Sequence, residues 1–414
     1  MKLSKLGHKL TEESAIVSLM EDLGTALNVN PDLLFLGGGN PAHIPEFESI
    51  AAKHLQDIAA DPDQLHKLLG VYQSPQGMES FISLFVDYMQ KQMQWPISSR
   101  NVALSNGSQS AFFIFINLLC GTDVLGVEKR QIVFPMMPEY LGYSDQACET
   151  DVFRSVPPII NETGDKRFKY QVDFSALNIC DTDAAICVSR PTNPTGNVLT
   201  QEEIEHLNDL ACEHEIPLII DCAYGEPFPG IFYEPSPIDY SENIIYMMSC
   251  SKLGLPGVRT GIVVASEYWI EKFVGANTVM CLANGNLGPQ LMSAMLEKEN
   301  IPALCSKTLL PFYRKQRDFA IDCVEKYFSG IDYKLHEPEG AFFLWLWFPG
   351  LGISSTELYE SLKEAGVLVM DGKHFFFGLD KEWPHAKECI RLTYCQNEAI
   401  IDQAMQIIAG QLNK

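Results

Sequence analysis

Short apolar, β-branched runs separated by amphipathic stretches constrain this chain more than any other feature. The runs fall at Gln131–Phe134, Ala185–Ser189, Pro217–Asp221, Asn243–Met248 and Gly261–Ala265. The clearest intervening helix follows Thr200. Thr200 and Glu203 have capping-box spacing, and Ile204, Leu207 and Leu210/Ala211 then share one face. Pro217 ends that segment and opens the next apolar run. Strand and helix in alternation predict an α/β fold, with a mostly parallel central sheet covered by helices.

Beyond about residue 288 the pattern changes. A long helical stretch over Thr308–Phe328 leads to the very apolar Gly340–Phe348. A helix near Ser354–Ala365, a strand around Cys389–Tyr394 and a last helix after Asn397 follow. At 414 residues the chain is long enough for two domains. We expect a large domain over 46–288, and a smaller α/β domain from 289–414 with residues 1–45 as an N-terminal arm.

The formal net charge of −23 argues against nucleic-acid and anionic-membrane partners, whose surfaces would repel the protein at long range. The longest apolar runs, Ala111–Cys120 and Ala341–Phe348, are too short to span a bilayer. MKLSKLGHKL lacks the apolar stretch of a signal peptide. Twelve cysteines without CxxC pairs read as buried, reduced thiols, and no His/Cys cluster has metal-ligand spacing. A cytoplasmic protein without a metal is expected.

Four segments carry chemistry. In Ser249-Cys250-Ser251-Lys252-Leu253-Gly254-Leu255-Pro256-Gly257-Val258-Arg259 a single lysine follows a strand, with serines before it and an arginine after it. A desolvated lysine frees its amine for covalent chemistry, and the hydroxyls and arginine suit a phosphate. Alone, a lysine at a strand end is ordinarily a surface residue. Asn106-Gly107-Ser108-Gln109-Ser110 opens an apolar helix, whose N-terminus favours an anion; a plain cap by Ser108 or Asn106 is the simpler alternative. Arg190-Pro191-Thr192-Asn193-Pro194-Thr195-Gly196 specifies a fixed turn, with a cis Asn193–Pro194 bond plausible, although most such turns only connect. Asp221, with Tyr224 close behind, ends an apolar run where parallel sheets place ligands, or else it is a solvated loop residue.

Together and in this order, these segments resemble a fold-type I pyridoxal-phosphate (PLP) aminotransferase of class I/II. Segments such as FLGGGNPAHIP, NGSQSAFF, VSRPTNPTGN, SKLGLPGVR and GAFFLWLWF extend the likeness over the full length to the valine–pyruvate aminotransferase family. The resemblance implies that Lys252 forms a Schiff base with PLP and later moves the substrate's Cα proton. It implies that Asp221 faces the pyridine nitrogen, and that Asn193 and Tyr224 bind the phenolic oxygen. Gly107, Ser108, Gln109, Ser249 and Arg259, with Ser251 assisting, match the phosphate cup. Tyr140 matches the aromatic residue that stacks on the ring, and Tyr72 a tyrosine reaching the phosphate of a second subunit, hence a homodimer with shared sites. Arg391 matches the clamp for the substrate α-carboxylate, and Gly39 the glycine that lets backbone approach it.

The implied reaction is ping-pong transfer between valine and pyruvate, giving 3-methyl-2-oxobutanoate and alanine. Other small aliphatic amino acids should overlap, because such side chains differ little in binding energy. Arg190 could serve a dicarboxylate, although a structural role suits it better. Cys222 stands where many relatives carry an acidic residue, and is read as inert packing. A PLP carbon–sulfur lyase is the nearest rival. An aminotransferase-like regulator is the remote one, since neither an added DNA-binding length nor a basic segment is visible.

Overall fold

The computed structural model describes residues 2–11, 15–30 and 32–414. Its centre is an eight-stranded sheet. The order is Val102–Ser105, Gly261–Val264, Ile244–Ser249, Leu218–Asp221, Asp183–Ser189, Lys129–Phe134 and Gly121–Thr122, with Phe153–Ser155 also on Lys129–Phe134. Gly261–Val264 and Gly121–Thr122 run against the other strands, which are parallel. All five apolar runs are strands of this sheet.

Successive side chains of these strands enter two different cores. Ile186, Val188, Leu218, Ile220, Tyr246 and Met248 pack on one side of the sheet. Ala185, Cys187, Ile219, Ile245 and Met247 pack on the other. Both faces are therefore covered, which is why the strands read as continuous apolar runs rather than alternating ones. Gln201–Glu213 covers one face through Ile204, Leu207 and Ala211. Its capping box forms as expected: Thr200 Oγ accepts from Glu203 N–H at 3.1 Å, and Thr200 N–H donates to the Glu203 carboxylate at 2.9 Å. Ser108–Leu119 and Glu267–Cys281 cover the opposite face.

A second, six-stranded sheet runs Met370–Asp371, Cys389–Thr393, Phe343–Trp347, Lys334–His336, Arg167–Gln171 and Ile159–Gly164. The last two strands form a hairpin that lies in sequence within 46–288, yet Arg167–Gln171 pairs with Lys334–His336. Ile159–Gly164 is mostly exposed and Arg167–Gln171 buries only alternate residues, so neither shows an apolar run. The start of the chain joins the same side. Leu34–Phe35 pairs in parallel with Val367–Leu368, and Thr393 N–H donates to Leu36 O at 2.9 Å.

The helix expected from Thr308 is Leu310–Tyr327, preceded by a wider turn over Cys305–Leu309. Ser354 and Asn397 cap the helices Ser355–Glu364 and Glu398–Leu412. No helix of the described residues is long and apolar enough to cross a membrane.

Candidate active site

The parallel strands end together, and their C-terminal ends floor a cavity of about 510 Å³ between the two sheets. Asp221 ends one strand, Ser189 is its register partner on the next, and Ser249 ends the third. The turn after Ser249 brings Lys252 over this floor, while Arg391 comes from Cys389–Thr393 of the second sheet. Gly39, Ser108, Gln109, Tyr140, Asn193, Tyr224, Ser251 and Arg259 complete the set of expected residues that line it. Gly107 lies just behind Arg259. Tyr72 does not line the cavity; it is 83% exposed on the surface.

Lys252 Nζ donates to Gly39 O at 2.7 Å and sits 5.2 Å from the centre of the Tyr224 ring. Burial lowers its pKa to about 8; Arg391 and Arg259 push the same way, while Cys395 and Asp221 oppose them. At pH 7 a drop from 10.5 to about 8 raises the neutral-amine fraction roughly 300-fold. Asp221 is raised by burial and held back by two bonds: Tyr143 donates to Oδ2 at 2.6 Å and Ala223 N–H to Oδ1 at 2.9 Å. Tyr224 is likewise pushed well up by burial.

Arg391 is 3% exposed and stacks over Phe343, 4.3 Å from the ring centre. Its Nη atoms donate to Asn193 Oδ1 and Gly37 O, each at 2.7 Å, and its buried Nε has no partner among the described residues. Burial depresses its pKa to about 10. These acceptors are neutral, so the guanidinium keeps its demand for an anion.

Gly107 caps the helix Ser108–Leu119 with φ 95°, and no side chain caps it. The simpler reading, a cap by Ser108 or Asn106, is thus overturned; Asn106 instead accepts from Gly285 N–H at 3.0 Å. A Cβ at Gly107 would stand 2.4 Å from Arg259 Nη2, so any other residue would displace that guanidinium, and the φ of 95° itself favours glycine. The helix start therefore offers free N–H groups beside Arg259, Ser249 and Ser251, an arrangement suited to a phosphate.

One further expectation changes in detail. The cis bond of the Arg190–Gly196 turn is Arg190–Pro191, and Asn193–Pro194 is not among the cis bonds. The close backbone approaches of the triple glycine are at Gly37 and Gly38, where a Cβ would meet Val369 O and the Phe35 ring at 2.8 Å; at Gly39 the nearest atom is 3.9 Å away. Arg190 points away from the cavity, donating to Leu199 O, Ser236 O and Pro237 O, so its role is structural. Cys222 is buried and its thiol is pushed up by burial, as inert packing requires.

Several lining residues were not read from sequence. Ile16, Met20 and Gly24 project from one face of Ala15–Val29, and Phe35, Leu141 and Met370 add apolar wall. Their i, i+4, i+8 spacing was the available signal. Tyr143, bonded to Asp221, and the buried carboxyl Glu139, which accepts from Ser189 N–H at 2.9 Å, had none. No group of three or more His, Cys, Asp or Glu among the described residues is placed to hold a metal ion.

Comparison with known proteins agrees with this geometry. The family model for aminotransferase class I and II matches residues 36–408. The valine–pyruvate aminotransferase of Escherichia coli (strain K12) is 42% identical over 414 residues, covering 100% of this chain and 99% of that protein. The crystal structure of valine–pyruvate aminotransferase from Salmonella typhimurium LT2 superposes with a TM-score of 0.88 at 40% identity, over 96% of this chain and 98% of that one. A Psychrobacter arcticum 273-4 protein described as a candidate amino-acid aminotransferase gives a TM-score of 0.96 at 40% identity, over 100% and 98%. With a fold-type I scaffold, these likenesses and a lysine, an aspartate and an arginine gathered in one cavity, the chain belongs to the class I and II aminotransferase family.

Proposed function

We propose that this protein transfers the amino group of valine to pyruvate, giving 3-methyl-2-oxobutanoate and alanine, with PLP held in the cavity through Lys252. Class I and II aminotransferases depend on PLP in general. The observation that carries the reading is Arg391, a buried guanidinium with an unpartnered Nε, facing the same cavity as a lysine shifted toward neutrality. A carboxylate-bearing amine answers both. The likeness to valine–pyruvate aminotransferases, and an apolar wall of Ile16, Met20, Phe35, Leu141 and Met370, favour a small aliphatic side chain.

The residues present fit the cofactor. The uncapped helix start, Gly107, Ser108, Gln109, Ser249, Ser251 and Arg259 would hold its phosphate. Asp221 would meet the ring nitrogen, Asn193 and Tyr224 the phenolic oxygen, and Tyr140 the ring face. When bound, the cofactor supplies a carbonyl carbon for the amine and a ring that accepts charge from the substrate Cα. Lys252 Nζ, over the cavity floor, would take the substrate's Cα proton and return it in the second half of the transfer. Its lowered pKa leaves that nitrogen able to accept the proton at neutral pH. Asp221 would stabilise positive charge at the ring nitrogen. Arg391 binds the α-carboxylate as a planar fork and so fixes which substrate bonds face Lys252.

A homodimer is part of the proposal. Tyr72, Leu69, Val279 and Leu282 are exposed, at 83, 76, 90 and 60%. Asn286 Nδ2 ties their two segments together through Val71 O at 2.7 Å. Exposed apolar groups on linked segments suit a second copy whose Tyr72 reaches the phosphate end. All twelve cysteines are unpaired, which suits a reducing compartment, and the cytoplasm is proposed as the place of work.

The test is a visible-absorbance titration of purified holoenzyme, with product analysis. Valine should remove the cofactor's visible band and pyruvate should restore it, with alanine as product. Ammonia and thiol release from cystathionine would favour a lyase. A band indifferent to every amino acid would overturn the reading.

A further inference from the structure

Asp221 lies at a strand end with one oxygen fixed by backbone and the other by a side chain from a distant segment. Ala223 N–H takes Oδ1 at 2.9 Å, and Tyr143, 78 residues earlier in sequence, takes Oδ2 at 2.6 Å. Tyr143 is 0% exposed and cannot swing away. Phe112 lies 4.6 Å from its ring centre, Phe134 stacks on it at 5.8 Å and 18°, and Tyr140 meets it edge-on at 5.3 Å. Tyr143 ends the short turn Leu141–Tyr143 that also carries Tyr140 at its start, so one turn holds both the ring-facing tyrosine and the carboxylate's partner.

We propose that Tyr143 is a positioning residue whose hydroxyl orients the Asp221 carboxylate and keeps it ionised toward the cavity; this rests on the PLP reading above. A hydroxyl bound to a buried carboxylate stabilises the charged form, and burial alone would neutralise it. The groups that act electrostatically with Asp221 pull in both directions. Lys252 favours its ionisation, while Glu139, Cys187, Cys222, Tyr140 and Tyr224 share repulsion with it whenever they are charged. Burial pushes the Tyr143 phenol well up, so it remains a donor throughout the working range. Loss of the hydroxyl raises the Asp221 pKa, so the acid limb of any step requiring the anion moves to higher pH.

The experiment compares wild-type holoenzyme with Tyr143→Phe, and with Phe134→Leu as a packing control that keeps the hydroxyl. For Tyr143→Phe, PLP affinity of the apoenzyme should fall about tenfold or more, as loss of a charge-assisted hydrogen bond predicts. The pH midpoint of the acid limb of kcat/KM should move up by about one unit, a tenfold shift in proton affinity. KM for valine should hardly change. In an Asp221→Asn background, Tyr143→Phe should cost no further PLP affinity. Phe134→Leu should lower the melting temperature and leave the pH midpoint in place. An unchanged midpoint and unchanged PLP affinity in Tyr143→Phe, or a pH shift reproduced by Phe134→Leu, would overturn the proposal. Failure of the wild type to bind PLP or transaminate would instead strike at the functional reading.

Discussion

Removing Arg391 separates recognition of an amino acid's carboxylate from recognition of its amine. In Arg391→Ala, Gly37 O and Asn193 Oδ1 lose their 2.7 Å donors, but both border the cavity segment and water can replace them. What is not replaced is the buried cation. Two hydrogen bonds from a desolvated guanidinium to a carboxylate are worth about 1.5–3 kcal/mol each, so the loss should be about 3–6 kcal/mol. That corresponds to roughly 10²–10⁴-fold in kcat/KM for valine. The assay is the rate at which valine, or 2-methylpropylamine, removes the cofactor's visible band in a single half-reaction. The amine has valine's side chain without its carboxylate. Wild type should prefer valine by about the same factor, and Arg391→Ala should erase most of that preference while reacting with the amine at near wild-type rate. Thermal stability of the apoprotein should not fall, since an incompletely paired buried charge has been removed. Equal losses for valine and the amine would refute the reasoning, because Arg391 would then act on the cofactor or the fold.

Lys252→Ala should abolish transamination while leaving the melting temperature near wild type, because the substitution removes a cation that burial disfavours; measurable steady-state turnover would exclude the lysine as base. Arg259→Met should weaken PLP binding about tenfold or more in a fluorescence titration of apoenzyme, and inorganic phosphate should compete less well than with wild type. Glu139 is held up at about 8 by burial, from 4.5, so the folded state binds its proton more tightly and stability falls as pH rises from 4.5 to about 8. Glu139→Gln should therefore gain in melting temperature relative to wild type as pH goes from 5 to 8.5; a constant difference across that range would show that Glu139 does not titrate there.

Residues with local signals were legible. Asp221 ends a strand, and Lys252 and Asn193 follow strand ends in short turns, so their position in a parallel sheet follows from the chain's periodicity. The cap at Thr200 was readable for the same reason. What stayed hidden depends on contacts far apart in sequence. Arg167–Gln171 becomes a strand because Lys334–His336 lies beside it, with only Phe168 and Tyr170 fully buried to mark the pattern. Tyr143 gains its role from a carboxylate 78 residues away. Ile16 and Met20 form a cavity wall only once the N-terminal helix is laid across the site, where Ile16 N–H donates to Asp145 at 2.9 Å.

The Gly37–Gly39 segment has a consequence for how tightly anything can bind. Its carbonyls accept from two of the three cationic side chains of the site, Gly37 O from Arg391 and Gly39 O from Lys252. The chain is thus its own competitor. A ligand that draws Lys252 away from Gly39 does so in exchange for an existing bond, and its measured affinity is the difference between the two. The same exchange ties occupancy of the site to the attachment of the N-terminal arm, because Leu34–Phe35, immediately before these glycines, pairs the arm with Val367–Leu368. Protease sensitivity of the first thirty-odd residues becomes a readout of site occupancy, by mass action alone.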